Sequence, residues 1–302
     1  MADKNTEIHQ NNLSFEEDEL KRMKTKSINV KGQLIDFGKP KVMGILNITP
    51  DSFFAGSRIN SLEQALKAAE KMLLEDANFL DLGAYSSRPG ADHITEEEEL
   101  NRLLPVLKGL VKEFPNAIIT IDTFRSKIAE IAILEGAHII NDISAGELDA
   151  AMIETVSRLK VPYLFMHMKG TPQTMKQLAQ YEDVVSEVYA SLKVKITRFQ
   201  EAGITDLILD PGFGFAKTIE HNYRLLNHLD LFLNLDVPVL AGLSRKSMIW
   251  KTLDIDSKEA LNGTTVLNTI ALMKGANILR VHDVKPAVEA VILIEKMKAS
   301  CV

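Results

Sequence analysis

Two hydrophobic periods alternate along the chain. Short apolar runs recur at "VMGILNIT" (42–49), "FLDLGA" (79–84), "IITIDT" (118–123), "HIINDIS" (138–144), "YLFMHM" (163–168), "LILDPG" (207–212), "PVLAGL" (238–243) and "ILRVHD" (278–283). Between them lie longer segments with helical spacing. In 61–77, Leu62, Ala65, Leu66, Ala69, Met72 and Leu73 share one stripe. Ser61 with Gln64 has the spacing of a capping box, which predicts a helix start there, and Thr95 with Glu98 repeats it. The run Glu96 to Glu99 reads as favourable charge in a first helical turn rather than as a metal site.

Each of the eight runs is followed by a helical pattern, the last being "VKPAVEAVILIEKMKA" (284–299). Continuous apolar strands alternating with amphipathic helices imply a parallel sheet covered by helices. Eight such units predict a single-domain α/β TIM (β/α)8 barrel. An open doubly wound sheet is the alternative. It would carry a glycine-rich nucleotide fingerprint after its first strand, and "NITPDSFFAGSR" is not one. Ahead of the barrel, "SINVKGQLIDFG" (27–38) alternates as a short hairpin. The expected organisation is a flexible or peripheral extension over 1–25 and one barrel domain over 26–302.

Composition narrows the setting. A net charge of −6 over 302 residues supplies no global basic field, so neither nucleic acid nor an anionic membrane is an expected partner. No apolar stretch has the length of a membrane span, and the polar, acidic start has no signal-peptide core. The lone cysteine, Cys301, forms no internal disulfide and fits a reducing compartment, so a cytoplasmic location is expected.

Chemistry concentrates at the strand ends, where a barrel of this type places its active site. In strand order these ends supply Asn47; Asp81, Ser86, Ser87 and Arg88; Asp122; Asn141 and Asp142; His167; Asp210; Ser244 to Ser247; and Arg280, His282 and Asp283. Single members have bland readings. Asp142 reads best as a helix N-cap, Asp283 and Ser244 as caps or supporting groups, and His167 as a packed histidine. Asp122 has no turn role inside its apolar strand, so for it a functional reading prevails. Arg280 and His282 are two apart and face one way. One barrel-interior salt bridge would account for one of them, but two cations together want an anion.

Two binding chemistries follow. Arg88, Lys246, Arg280 and His282, with Asn47, suit a phosphate or diphosphate, with Mg2+ near Asn47. Asp122, Asn141 and Asp210, with Lys246 between the groups, suit a flat heterocycle rich in N–H donors. "DPGFGFAK" adds Gly212 and Gly214 for backbone freedom, and Phe213 and Phe215 as stacking faces.

Together "MGILNITPDSF", "LDLGAYSSRPGA", "IDTFRS", "INDIS", "LDPGFGFAK", "GLSRKSMI" and "RVHDV" resemble, in order and spacing, the dihydropteroate synthase family over residues 40–298. The resemblance implies a homodimeric, Mg2+-using transferase of folate biosynthesis and a sulfonamide target. Its substrates would be a dihydropterin-methyl diphosphate and 4-aminobenzoate, and its reaction a dissociative displacement of diphosphate. Carried over by motif, Asp122, Asn141, Asp210 and Lys246 match the pterin pocket, and Asp122, Lys246 and Arg88 the catalytic set. Asn47, Arg280 and His282 match the diphosphate site, with Asn47 as the metal ligand. Ser87, Arg88, Pro89, Phe215 and Ser247 match positions near the aminobenzoate. Pro50 to Arg58 and residues 84–92 match two loops expected to close and exclude water.

The match departs from the family in those loops. Gly-Gly-Glu-Ser-Thr-Arg-Pro-Gly is common in the second loop. Here Ala84, Tyr85 and Ser87 replace the second glycine, the glutamate and the threonine. A methyltetrahydrofolate methyltransferase with the same barrel is the nearest rival, but it has no need of the arginine-rich clamp in "SSRPG", "SRKS" and "RVH". A non-catalytic pterin-binding relative is a further rival, and it would be expected to have lost such residues.

Overall fold

The computed structural model describes residues 26–48, 58–86 and 93–300. Within them the eight apolar runs form β3 (Lys41–Asn47), β4 (Phe79–Gly83), β5 (Ile118–Asp122), β6 (Ile139–Asp142), β7 (Tyr163–Met166), β8 (Leu207–Asp210), β9 (Leu240–Ala241) and β10 (Ile278–Val281). All pair in parallel, in the order β8-β7-β6-β5-β4-β3-β10-β9. The ends meet through a parallel bridge between Leu209 and Val239, with Leu209 N donating to Pro238 O at 2.9 Å. The sheet is thereby a barrel, as the pattern predicts. Strand β9 is shorter than its apolar run, because Pro238 has no N–H to give the ladder.

Helices cover the outside: α1 (Arg58–Leu74), α2 (Glu96–Glu113), α3 (Ser126–Leu134), α4 (Met152–Leu159), α5 (Val184–Glu201), α6 (Ile219–Asn227), α7 (Ser247–Leu253), α8 (Leu261–Met273) and α9 (Val284–Ala299). Thr95 caps α2 as expected, its hydroxyl accepting from Glu98 N at 3.1 Å. Helix α1 starts at Arg58, so Ser61 lies inside it and is not its cap. The helices pack on the outward strand residues in one continuous apolar core that includes Leu46, Leu80, Ile121, Ile140, Phe165 and Leu279.

The barrel interior is closed at one end only. Its lowest layer is apolar: Met43, Phe79, Ile139, Leu164, Ile208, Leu240 and Ile278. Ile28, Val30 and Phe37 of the β1 (Ser27–Val30) and β2 (Gln33–Asp36) hairpin plug it from below. The hairpin turns at Lys31 and Gly32, both at positive φ, which matches the twist of the flanking strands. Polar ligands therefore meet the barrel at the opposite mouth.

One loop at that mouth is built around a half-buried lysine. After β8, Asp210 Oδ1 accepts from Gly212 N at 2.7 Å, and the chain then passes through positive φ at Gly212, Gly214 and Ala216. The Lys217 ammonium donates to Gly212 O at 2.9 Å and Phe215 O at 3.0 Å, and lies 3.1 Å from His167 Nδ1. Burial drives its pKa well below the usual lysine value, against the pull of Asp210. Gly212 is required here twice over, because its φ is +77° and an added Cβ would lie 2.0 Å from His167 O. Gly212→Ala is expected to destabilise the protein by about 3 kcal/mol or more, from backbone strain and the clash together. A urea unfolding midpoint equal to that of the native chain would contradict this.

Candidate active site

Inward-facing residues alternate along a strand, and register decides which of them share a level. Above the apolar layer, Asp81 of β4 is in register with Ile45 and Thr120. One level higher, Gly83 pairs with Asn47 on one side and Asp122 on the other, and Asp122 pairs with Asn141. Gly83 leaves space in this ring: a Cβ there would lie 3.2 Å from Asn47 Oδ1 and 3.3 Å from Asp122 Cβ.

Arg280 joins the two levels. Its Nε donates to Asp81 Oδ2 at 2.5 Å and its Nη2 to Asp122 Oδ2 at 2.7 Å. Asn141 Nδ2 lies 3.1 and 3.3 Å from the two oxygens of Asp81. The expectation of two unpaired cations wanting an anion is corrected for Arg280, which is the barrel-interior salt bridge. His282 stands apart, its Nδ1 lying 3.0 Å from Ser244 Oγ while that oxygen accepts from His282 N at 3.2 Å. Ser244 thus supports His282, the alternative to a helix cap.

On the other side Lys246 donates to Phe213 O and lies 5.0 Å from the Phe215 ring centroid. A Cβ on Gly242 would be 3.6 Å from Asp210 Oδ2 and 3.8 Å from Lys246 Nζ, so this pair shares one space. Of the two candidate stacking faces only Phe215 is partly exposed; Phe213 is fully buried in the core and is no ligand face. Ser247 opens α7 directly after Lys246 and is partly exposed. Ser87, Arg88 and Pro89 lie outside the described residues, as do residues 50–57.

Three readings of the sequence change. Asp142 does not cap a helix. Wholly buried, it accepts from Ser144 N, Ser144 Oγ, Gly146 N and Tyr163 Oη, each at 2.7 Å, and so shapes the turn after β6. Asp283 forms a two-point ion pair with Arg245, at 2.8 and 2.9 Å. Glu99 is not a solvated first-turn charge. It is 1% exposed, accepting from Thr123 Oγ1 at 2.8 Å and Arg125 Nη1 at 2.5 Å, and so holds the turn that follows Asp122. Tyr85, the departure from the family glutamate, is buried edge-on against Phe124 at 5.0 Å, with its hydroxyl 3.2 Å from both His93 Nδ1 and Gln173 Nε2. Helical or loop spacing carries no signal for such long-range partners.

Burial sets the electrostatics. It raises the Asp122 pKa to about 7, opposed by Arg280 and reinforced by Asp81. Burial raises Asp210 as well, opposed by Lys246, and lowers Lys246 to about 8. In Arg280 burial works against the charge, but Asp81 and Asp122 outweigh it and raise its pKa. His167 is pushed down to about 2 by burial and Lys217, so it is neutral, as its packed reading requires. No described cluster of three His, Cys, Asp or Glu residues could hold a metal ion by itself. One amide oxygen, Asn47 Oδ1, fits an ion that also takes oxygens from a bound diphosphate, as Mg2+ commonly does.

The profile of a family described as "Pterin binding enzyme" matches residues 43–282. Dihydropteroate synthase of Escherichia coli K12 is 43% identical over 267 residues, 88% of this chain and 94% of that one. The Yersinia pestis dihydropteroate synthase with a sulfonamide drug complex superposes at a TM-score of 0.85 and 38% identity, covering 90% of this chain and 99% of that one. The Xanthomonas albilineans enzyme, with 4-aminobenzoic acid in one structure and 7,8-dihydropteroate in another, gives TM-scores of 0.85 and 0.80 at 36% and 32% identity, each covering 91% of this chain and 99% of that one. The barrel, its polar mouth and these likenesses together identify the chain as a member of the dihydropteroate synthase family of pterin-binding enzymes.

Proposed function

We propose that the chain condenses (7,8-dihydropterin-6-yl)methyl diphosphate with 4-aminobenzoate, releasing diphosphate and forming 7,8-dihydropteroate. The observation that carries this reading is the mouth itself, where buried Asn141 and Asp210 and half-buried Asp122 stand within one ring of strand ends beside Lys246, Arg280 and His282. Asp122, Asn141 and Asp210 accept the N–H groups of the pterin, and Lys246 lies beside Asp210 to donate to its carbonyl edge. An aromatic amine is a weak nucleophile, so the C–O bond to diphosphate breaks ahead of C–N bond formation. Positive charge then spreads over the pterin. The Asp122 and Asp210 carboxylates stabilise it in a site of low dielectric. Arg280 and His282 receive the departing anion. The aniline nitrogen attacks the methylene and loses its proton to solvent or diphosphate. Phe215 and Ser247 border the aminobenzoate, and the chain is accordingly a sulfonamide target.

Magnesium, held by Asn47 and the substrate's own oxygens, would neutralise charge on the diphosphate when bound. The single cysteine supports a cytoplasmic setting. No helix among the described residues is long and apolar enough to cross a membrane. A homodimer is supported by the contacting helices α8 and α9, where Val266, Ile270 and Met273 form an exposed stripe on the first and Ile292 and Leu293 are exposed on the second.

Direct assay decides the reaction: dihydropteroate should form from the two substrates, and its absence refutes the reading. The specificity constant for the pterin substrate should fall as pH drops through about 7, because Asp122 then takes up a proton and loses its charge. A flat profile from pH 8 to 6 would exclude Asp122 from the charge-stabilising role. Chelation by EDTA should weaken binding of the diphosphate substrate in calorimetry, with Mg2+ restoring it; unchanged affinity removes the metal from Asn47. For the dimer, Ile270→Glu should halve the mass seen in equilibrium sedimentation, and a native chain that sediments as a monomer would end that proposal.

A further inference from the structure

Asp81 has no place in the reaction above, although it is fully buried at the centre of the site. A buried carboxylate is expensive to keep, and a barrel interior of apolar residues in place of the whole ionic group would generally be no less stable. Among the described residues the hydrogen bonds of Asp81 go only to two members of the proposed site, Asn141 and Arg280. Thr120, its partner across the strand ladder, keeps a buried hydroxyl with no partner among the described residues. Asp81 therefore does not serve the nearest polar group of the barrel wall. It serves the level above.

We infer that Asp81 is the positioning residue that sets the donor and acceptor polarity of the pterin pocket, by orienting the Asn141 amide and dividing the Arg280 guanidinium. This rests on the reaction proposed above. A carboxylate only accepts, so the NH2 end of Asn141 must face Asp81. Its Oδ1 is then the end left to accept an N–H from the heterocycle. Arg280 is held at two points, Nε on Asp81 and Nη2 on Asp122, and its Nη1 has no partner among the described residues. That fork fixes the plane of the guanidinium and reserves one edge for the anion. Asp81 also keeps Arg280 from giving its whole charge to Asp122, so Asp122 keeps more of its acceptor strength for substrate.

Asp81→Asn tests this. The amide is neutral and puts an NH2 in place of one carboxylate oxygen, so the charge-assisted bond to Arg280 and the second oxygen facing Asn141 are both lost. Binding of the pterin diphosphate should weaken about ten- to hundredfold, the range for losing a hydrogen bond to a charged group. The KM for 4-aminobenzoate should change by less than about threefold, well below the cost of such a bond. The acid limb of the specificity constant should move to lower pH. Asp122 feels the charges of Arg280, Asp81, Glu99 and Asp142, and the substitution removes one of these three negative charges while leaving Arg280 to it. A merely structural role would lower activity at every pH and leave the limb in place. An unmoved limb, an unchanged pterin affinity or an equal loss for both substrates overturns the inference. If the native enzyme makes dihydropteroate and the variant behaves as native, the inference fails alone and the reaction stands. A native enzyme without turnover removes the reaction instead. Should Asp81→Asn not fold, native protein labelled with 15N-asparagine gives the answer. The Asn141 side-chain amide, assigned by its absence in Asn141→Ala, should exchange hydrogen slowly in the free enzyme because it is bonded to Asp81. Exchange at the rate of exposed amides would overturn the inference even without any assay of turnover.

Discussion

One guanidinium between two carboxylates holds the site together. Asp81 and Asp122 project from adjacent strands into a closed barrel, Asp81 fully buried and Asp122 mostly so. Two such charges would repel strongly in a low dielectric. Arg280 comes from β10 on the far side of β3 and bridges them. The barrel must therefore close in register for the charges to be balanced. A slip of one residue would turn Arg280 to the outer, apolar face and leave two buried anions without a cation.

The same balance explains why the two ends of the barrel differ. The lower end is apolar and plugged by Ile28, Val30 and Phe37, so strand pairing and hydrophobic burial carry the stability there. The upper end spends stability on polar residues that pair with each other in the absence of ligand. Asp210 and Lys246 on one side, and Asp81, Asp122 and Arg280 on the other, form a site whose charges are already placed. Little reorganisation is then required when charge develops on a substrate. Around it, Glu99, Asp142 and Lys217 are ionic groups withdrawn from solvent that fix three turns of the rim, after β5, β6 and β8. Each replaces the water that an exposed loop would use.

Much of the fold was legible because burial on both faces leaves a strand with a continuous apolar run, and a helix on its outside with a stripe. The eight runs, the hairpin and the polar residues at strand ends follow from that alone. That Asp122, Asn141 and Asp210 stand at the mouth was legible, since a polar group closing an apolar run needs a reason. The roles of Glu99, Lys217 and Tyr85 were not. Each has a partner 24 or more residues away, in Thr123, His167 and Gln173, and local spacing gives no sign of which distant group will lie opposite.

The sequence by itself determined the barrel, the mouth that carries chemistry and the two classes of ligand group it presents. Those depend on period, on apolar content and on residue type at strand ends. Tertiary structure alone decided how those groups pair. It made Arg280 a bridge where sequence offered a free cation, put Phe213 in the core and Phe215 at the rim, and turned Asp142 into a turn-former. The reason is physical: pairing in a closed barrel is set by register between strands far apart in the chain, and the cost of burying a charge leaves only the arrangements in which each one meets its partner.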